Sequence, residues 1–115
     1  MTDKELKDEY ATLCKSGGGN RFEGNYTEEQ KRRWRELDCI EMINSLLAYD
    51  YAGESSAQHI LSSQKDKYLK RYVADLGETC VLSLIEGQIN DIKDISRDVF
   101  TDSEGVTYNS IVWAK

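Results

Sequence analysis

The feature that most constrains this chain is a helical spacing of apolar residues that no proline interrupts. None of the 115 residues is proline, so no ring removes a backbone donor from a helix. Apolar side chains recur at intervals of three and four residues up to about residue 98, as in amphipathic helices. The sequence therefore predicts a mainly α fold, a small helical bundle of four to five helices.

The predicted helices begin and end at recognisable signals. Thr2 with Glu5 and Thr27 with Gln30 form capping boxes, in which each member bonds the backbone of the other. Glycine commonly follows the last residue of a helix, and Gly77 is expected to end one. The expected helices cover residues 3–15, residues 27–51, a segment from residue 54, residues 68–76 and residues 79–96.

The last eighteen residues, DVFTDSEGVTYNSIVWAK, change character. Their β-branched and aromatic residues are typical of strands, and Asp102 and Gly105 hold the first and fourth positions favoured in a type I turn. A short C-terminal β-hairpin is expected over residues 98–113. Because an isolated hairpin is marginal in water, it must pack on the helices or meet a strand of a partner. The sequence leaves open whether the hairpin edge pairs with that of a second copy to form a homodimer.

The glycine-rich stretch KSGGGNRFEG, residues 15–24, raises the question of a phosphate-binding loop. Such a loop follows a strand and leads directly into a helix. Here a helix precedes the glycines, and the next helix begins only at Thr27. Residues 16–26 are therefore interpreted as a flexible connection within a single domain that spans residues 1–115, a length that suits one domain.

No pattern of catalytic or metal-binding residues emerges from the sequence. His59 is the only histidine, and no cysteine lies near it in the chain, so a Cys–His pair is not indicated. The three cysteines are widely separated, whereas structural zinc sites use close pairs. An EF-hand match at Gly105 fails, because Phe100 stands where a ligand aspartate is required. We expect no enzyme activity, no metal and no cofactor.

The expected location is the cytoplasm. Three cysteines in 115 residues do not form the dense, even set of a small secreted scaffold. The charged first segment, MTDKELKDEY, does not resemble a signal peptide. No apolar run approaches the about 18–20 residues that span a bilayer, so no membrane association is expected.

Acidic residues are concentrated towards the C-terminus. The chain carries a net charge of −6, and the segment 86–104 holds six acidic and two basic side chains. Asp91, Asp94 and Asp98 would share one face of the predicted last helix, where their repulsion would be relieved by a basic partner. The expected partner-binding residues are Asp91, Asp94, Asp98, Asp102 and Glu104. The leading hypothesis is a non-enzymatic protein, a small acidic regulator or inhibitor of a basic nucleic-acid-handling protein, comparable in size and charge to phage and mobile-element inhibitors.

Two alternatives stay open. A nucleic-acid-binding module would use the cations around Trp34 for phosphate and its ring for stacking; solvated cations around an inward-packed Trp34 would equally explain the run. A small-molecule-binding protein or enzyme would place some of the seven tyrosines in a pocket. The residues assigned to nucleic-acid contact are Arg21, Lys31, Arg32, Arg33, Trp34 and Arg35.

Overall fold

The computed structural model describes residues 1–18 and 25–114, which form five α-helices followed by two β-strands. This confirms the predicted mainly α fold with a C-terminal hairpin. No helix in the described residues is long and apolar enough to cross a lipid bilayer. The elements are α1 Asp3–Gly17, α2 Glu28–Ala48, α3 Ala57–Gln64, α4 Lys70–Leu76, α5 Glu78–Asp91, β1 Ile92–Thr101 and β2 Thr107–Trp113.

Threonine capping boxes begin the first two helices, as predicted. The backbone N–H of Glu5 donates to Thr2 Oγ1 at 3.2 Å, and the Thr2 N–H donates to the Glu5 carboxylate at 3.1 Å. Thr27 and Gln30 make the same reciprocal pair at α2, at 3.1 and 2.9 Å. Each box satisfies backbone donors that have no partner inside the helix. Both starting points are therefore determined by local sequence.

Helix α2 lies at the centre of the helical packing. It contacts α1, α4, α5 and β2, which explains why its apolar residues occupy more than one side. Complete burial of each leucine or isoleucine stabilises the fold by about 1.5–3 kcal/mol. The core residues of α2 lie at helical spacing and are at most 4 % exposed: Leu37, Cys39, Ile40, Ile43 and Leu47. The helix ends at Ala48 rather than at Tyr51.

Helices α3, α4 and α5 close the core against α2. Ile60 of α3, Tyr72 of α4 and Ile85 of α5 belong to the same buried cluster as Ile43 of α2. Only Gly77 separates α4 from α5, and its φ is 91°. Residues with a Cβ rarely adopt that conformation. The connection between these two packed helices therefore depends on glycine.

Helix α1 packs on the first half of α2. Leu6 is buried against Leu37 and Ile40, and the Tyr10 hydroxyl donates to Asp38 Oδ1 at 2.9 Å. Burial raises the pKa of Tyr10, and the neighbouring Asp38 carboxylate raises it further. The phenol therefore stays protonated and remains a donor to α2.

The predicted connection over residues 16–26 begins later than expected, because α1 continues to Gly17. The Asn25 N–H donates to the Gly17 carbonyl at 3.0 Å. A Cβ on residue 17 would overlap the ring of Tyr26, so glycine is required there for close packing. Residues 19–24 lie outside the described part of the chain.

The boundary between α5 and the hairpin differs from the prediction. Helix α5 ends at Asp91, so the expected helix over residues 79–96 is five residues too long. Strand β1 begins at Ile92, and the hairpin therefore starts six residues before the predicted position 98. This correction moves part of the predicted acidic helical face onto a strand.

A β-bulge explains why the spacing of apolar residues suggested a longer helix. Ile92 pairs with Trp113 and Ile95 pairs with Ile111, although the strands advance by three and two residues between these pairs. One extra residue in β1 therefore places two isoleucines that are three apart on the same side of the sheet. Three residues is also a helical interval, so the period alone cannot distinguish the two structures.

The turn predicted between the strands forms at Asp102–Val106. The Gly105 N–H donates to the Asp102 carbonyl at 3.1 Å, and the Asp102 N–H donates to the Val106 carbonyl at 3.0 Å. Gly105 has a φ of 83°, in the left-handed region that favours glycine. The hairpin thus ends in a closed, hydrogen-bonded tip.

Candidate protein-binding surface

The strand register sorts the hairpin side chains onto two faces. On the inner face, Ile92, Ile95, Ile111 and Trp113 are half-buried, and β1 and β2 contact α5 and α2. Because side chains alternate along a paired strand, the residues paired between these positions lie on the other side of the sheet. We call this side the outer face; its exposed residues form three cross-strand pairs, Asp94 with Val112, Ser96 with Ser110 and Phe100 with Tyr108.

Two aromatic rings lie exposed on the outer face near the turn. Phe100 is 58 % exposed and Tyr108 is 40 % exposed, and their ring centroids are 5.8 Å apart at an interplanar angle of 31°. Val99 and Val106, near the same turn in the chain, are exposed as well. Contiguous exposed apolar groups of this kind mark interaction surfaces on proteins. The sequence indicated these residues as strand formers, and their alternation with polar residues is the signal that could have identified an exposed face.

Asp102 organises the tip of the hairpin. Its Oδ1 accepts hydrogen bonds from the N–H groups of Glu104 and Val106 at 2.9 and 3.0 Å, and its Oδ2 accepts one from the Tyr108 hydroxyl at 3.1 Å. The bond from Val106 is the main cause that lowers the pKa of Asp102. This carboxylate therefore holds the turn and orients Tyr108, so the predicted contact residue also has a structural role.

The other predicted acidic contacts fall at different places. Glu104 is exposed at the turn, and Asp94 is exposed on the outer face near the opposite end of the hairpin. Asp98 belongs to β1, but its side chain lies outside the described part of the structure. The predicted arrangement of Asp91, Asp94 and Asp98 on one helical face is wrong, because β1 replaces the end of that helix.

Asp91 is engaged with the helical body. Its Oδ2 lies 2.8 Å from the α-amino nitrogen of Met1, which also donates to Gln88 Oε1 at 2.6 Å. The Asp91 carbonyl accepts a hydrogen bond from the Ala114 N–H at 2.8 Å. These contacts join α5 to both ends of the described chain and occupy a carboxylate that the sequence assigned to a partner.

Four of the five cations of the predicted nucleic-acid surface are paired within the protein. Arg33 makes two hydrogen bonds to the Glu9 carboxylate, both at 2.8 Å, and this interaction raises the pKa of Arg33. An arginine held in such a two-point contact presents fewer donors to a phosphate. The ion pairs of the cluster are Lys31–Glu28 at 3.3 Å, Arg32–Glu36 at 3.5 Å, Arg33–Glu9 at 2.8 Å, Arg33–Glu36 at 3.1 Å and Arg35–Asp75 at 2.8 Å.

Trp34 faces the space between α1 and α2. It is 7 % exposed, and its ring centroid lies 5.3 Å from that of Tyr10 and 6.0 Å from that of Tyr26. A ring packed between two aromatic neighbours is not presented to a base for stacking. Arg21, the remaining member of the predicted surface, lies outside the described residues. The cluster therefore joins α1, α2 and α4, and this tertiary arrangement is not readable from the charge run alone.

A groove lies between β1 and the connection from α2 to α3. Its volume is about 300 Å³, and its lining combines apolar Leu47 and Ile95 with two cations, Lys93 and Arg97, and two acidic residues, Glu54 and Asp94. This volume is at the lower limit of small-molecule sites. Tyr51 is the one tyrosine in the lining, so this groove is not the tyrosine-lined pocket that the sequence left open. Sequence reasoning missed the groove because it placed its β1 side on a helix.

The surroundings of His59 and Cys39 do not form a catalytic pair in the described contacts. The His59 ring lies 6.1 Å from the Tyr51 ring, centroid to centroid, in an edge-on arrangement. Cys39 is fully buried, and burial raises the pKa of its thiol to about 12, which suppresses the reactive thiolate. Within residues 1–18 and 25–114, no group of three or more His, Cys, Asp or Glu side chains is arranged to hold a metal ion.

Comparison of the chain with protein-family models, curated proteins and solved structures found no match. Its function must therefore be inferred from the residues and their geometry.

Proposed function

We propose that this chain is a non-enzymatic protein-binding protein whose hairpin outer face and tip bind a basic surface of another protein. The observation that carries the proposal is the exposed pair of Phe100 and Tyr108, flanked by carboxylates, on a sheet whose other face packs on the helices. Aromatic residues are enriched at the centres of protein interfaces. An exposed aromatic pair beside charged groups is therefore suited to binding a protein surface.

Charge determines the kind of partner. The hairpin, residues 92–113, carries four acidic and two basic side chains, a net charge of −2, and Asp94 and Glu104 are exposed at its two ends. Complementary potentials accelerate association and reject partners of like charge. A basic groove that handles nucleic acid is the complementary surface, and a small acidic chain bound there would displace the nucleic acid. The proposed role is therefore that of a regulator or inhibitor, of the type encoded by phages and mobile elements.

Direct nucleic-acid binding is the less favoured alternative. It needs free cations and an accessible ring, whereas Arg33 is held by Glu9 and Trp34 is 7 % exposed. The chain as a whole is acidic, and phosphate neutralisation by free cations supplies most non-specific binding. A direct test is a gel-shift titration at low salt. The protein-binding proposal expects no shifted band, and a band that weakens steeply with salt would favour the alternative.

The proposal is tested by capture from a lysate of the native host with two charge-reversed proteins. Asp94→Lys with Glu104→Lys alters the hairpin, and Asp8→Lys with Asp66→Lys makes the same change in net charge at exposed sites on α1 and between α3 and α4. The hairpin variant is expected to lose a basic partner that the control variant and the unmodified chain both retain, with and without nuclease. Equal capture by both variants, no captured partner, or loss on nuclease treatment would contradict the proposal.

A further inference from the structure

The two strands of the hairpin differ in the features that prevent another strand from pairing with their open edges. Strand β1 carries four charged residues, Lys93, Asp94, Arg97 and Asp98, and two register irregularities, one after Ile92 and one after Ser96. Strand β2, TYNSIVW, carries no charged residue and no proline. Charges and bulges on an edge strand prevent other strands from pairing with it. In this hairpin both devices are on β1.

The far edge of β2 is available for pairing. In the described residues, the backbone hydrogen bonds of β2 join it to β1, and no other strand lies beside it. Its contact with α2 includes the Asn109 side chain, which donates to the Ala48 carbonyl at 2.6 Å. Half of the N–H and C=O groups of a strand paired on one side point away from its partner. About half of the backbone groups of the uncharged, seven-residue β2 therefore point away from β1.

We propose that β2 pairs with β2 of a second copy of this chain, antiparallel about a two-fold axis near Ser110, to form a four-stranded sheet. Ser110 is the central residue of β2. The chain has a net charge of −6, so self-association requires a charge-poor contact, and β2 supplies one while the charged β1 strands occupy the outside. A two-fold contact of this kind is self-complementary and closed. A four-stranded sheet is also more stable than an isolated pair of strands.

This inference is independent of the proposed function, because edge pairing leaves the outer face exposed. The dimer would present two copies of the aromatic pair on one continuous sheet. Two linked binding surfaces raise the effective affinity for a partner that has two matching sites.

The experiment is sedimentation equilibrium of the full chain over concentrations of about 1 µM to 1 mM. The expected result is a mass that rises from 13.2 kDa towards twice that value. Ser110→Lys, which places like charges near the two-fold axis, is expected to weaken dimerisation about tenfold or more. Ser96→Lys is the matched control, since Ser96 is the cross-strand partner of Ser110 on the same exposed face, and it is expected to leave the dimer unchanged.

A constant mass of 13.2 kDa for the unmodified chain over this range would overturn the proposal. So would equal weakening by the two lysine variants, because that result reflects added charge rather than the β2 edge. Amide hydrogen exchange of the unmodified chain gives an answer that does not depend on any variant folding. The β2 amides that face away from β1 are expected to exchange more slowly at high protein concentration, and unchanged exchange in a confirmed dimer would place the contact elsewhere.

Discussion

The helical part of this protein and its hairpin differ in how much apolar side chain they expose to solvent. In the described residues, seven large hydrophobic side chains are exposed, and five of them lie between Val99 and Val112. The helices bury their apolar residues and pair the cations of the cluster at residues 31–35 with carboxylates. The difference lies in the apolar residues: the helices bury most of theirs, whereas the hairpin leaves five exposed, with the exposed carboxylates Asp94 and Glu104 at its two ends.

The largest expected effect separates the two regions by stability. Ile85→Ala removes a completely buried side chain and is expected to lower the free energy of unfolding by about 2–5 kcal/mol. Val112→Ala, at a position that is 40 % exposed, is expected to cost less than about 1 kcal/mol. Urea denaturation measures both. Equal losses would show that the outer face contributes to the core.

Buried and exposed polar contacts give the next comparison. The Gln88 amide donates to Asn44 Oδ1 at 2.7 Å inside the core, so Gln88→Leu is expected to cost about 1–3 kcal/mol. The Thr101 and Thr107 hydroxyls lie 3.3 Å apart and are exposed. Thr107→Val is therefore expected to lower the free energy of unfolding by less than about 0.5 kcal/mol. Thermal unfolding checks both values. The double variant Asn44→Leu with Gln88→Leu should recover part of the loss, and a further loss would contradict this account of the contact.

A smaller effect tests whether the basic cluster is structural. Arg33→Gln breaks the two-point contact with Glu9 and is expected to destabilise the fold by about 1 kcal/mol. Lys31→Gln, which loses a single exposed contact with Glu28 at 3.3 Å, should cost less than about 0.5 kcal/mol. Urea denaturation gives the stabilities, and capture from lysate gives the binding. Loss of a captured partner without loss of stability in either variant would assign the cluster to binding.

The smallest effect is local and depends on pH. The folded pKa of Asp102 lies below its ordinary value of 3.8, so its stabilisation of the turn is present above that value and is lost as the pH falls through the lower folded pKa. The amide resonances of Glu104 and Val106 are expected to move in this acid range in an NMR titration. Asp102→Asn removes the titrating group, and persistence of the same transition in that variant would assign it to another carboxyl.

The sequence predicted the parts of the fold that local interactions determine. The capping boxes at Thr2 and Thr27 and the stop at Gly77 depend on residues only a few positions apart, and all three are present. The buried positions of α2 followed from helical spacing, which reports directly on a face of the helix. The turn at Asp102 was readable for the same reason, since its residues are adjacent.

The missed features depend on residues far apart in the chain. Whether Ile92 and Ile95 belong to a helix or to a bulged strand is decided by pairing with β2, and their spacing suits both. The pairing of Arg33 with Glu9 depends on how α1 lies on α2. The acidic surface was therefore assigned to a helical face that does not form, and the exposed Phe100–Tyr108 pair was not identified as a binding feature.

The central claim, that the outer face of the hairpin binds a protein, is tested most directly by site-specific photo-crosslinking. Phe100 and Tyr68 are 58 % and 57 % exposed, one on the hairpin and one between α3 and α4, so a benzophenone-bearing phenylalanine at each position samples equal accessibility. In native lysate, position 100 is expected to yield a discrete adduct with a basic protein, and position 68 is expected to yield none. The same adducts from both positions, or none from position 100, would contradict the account.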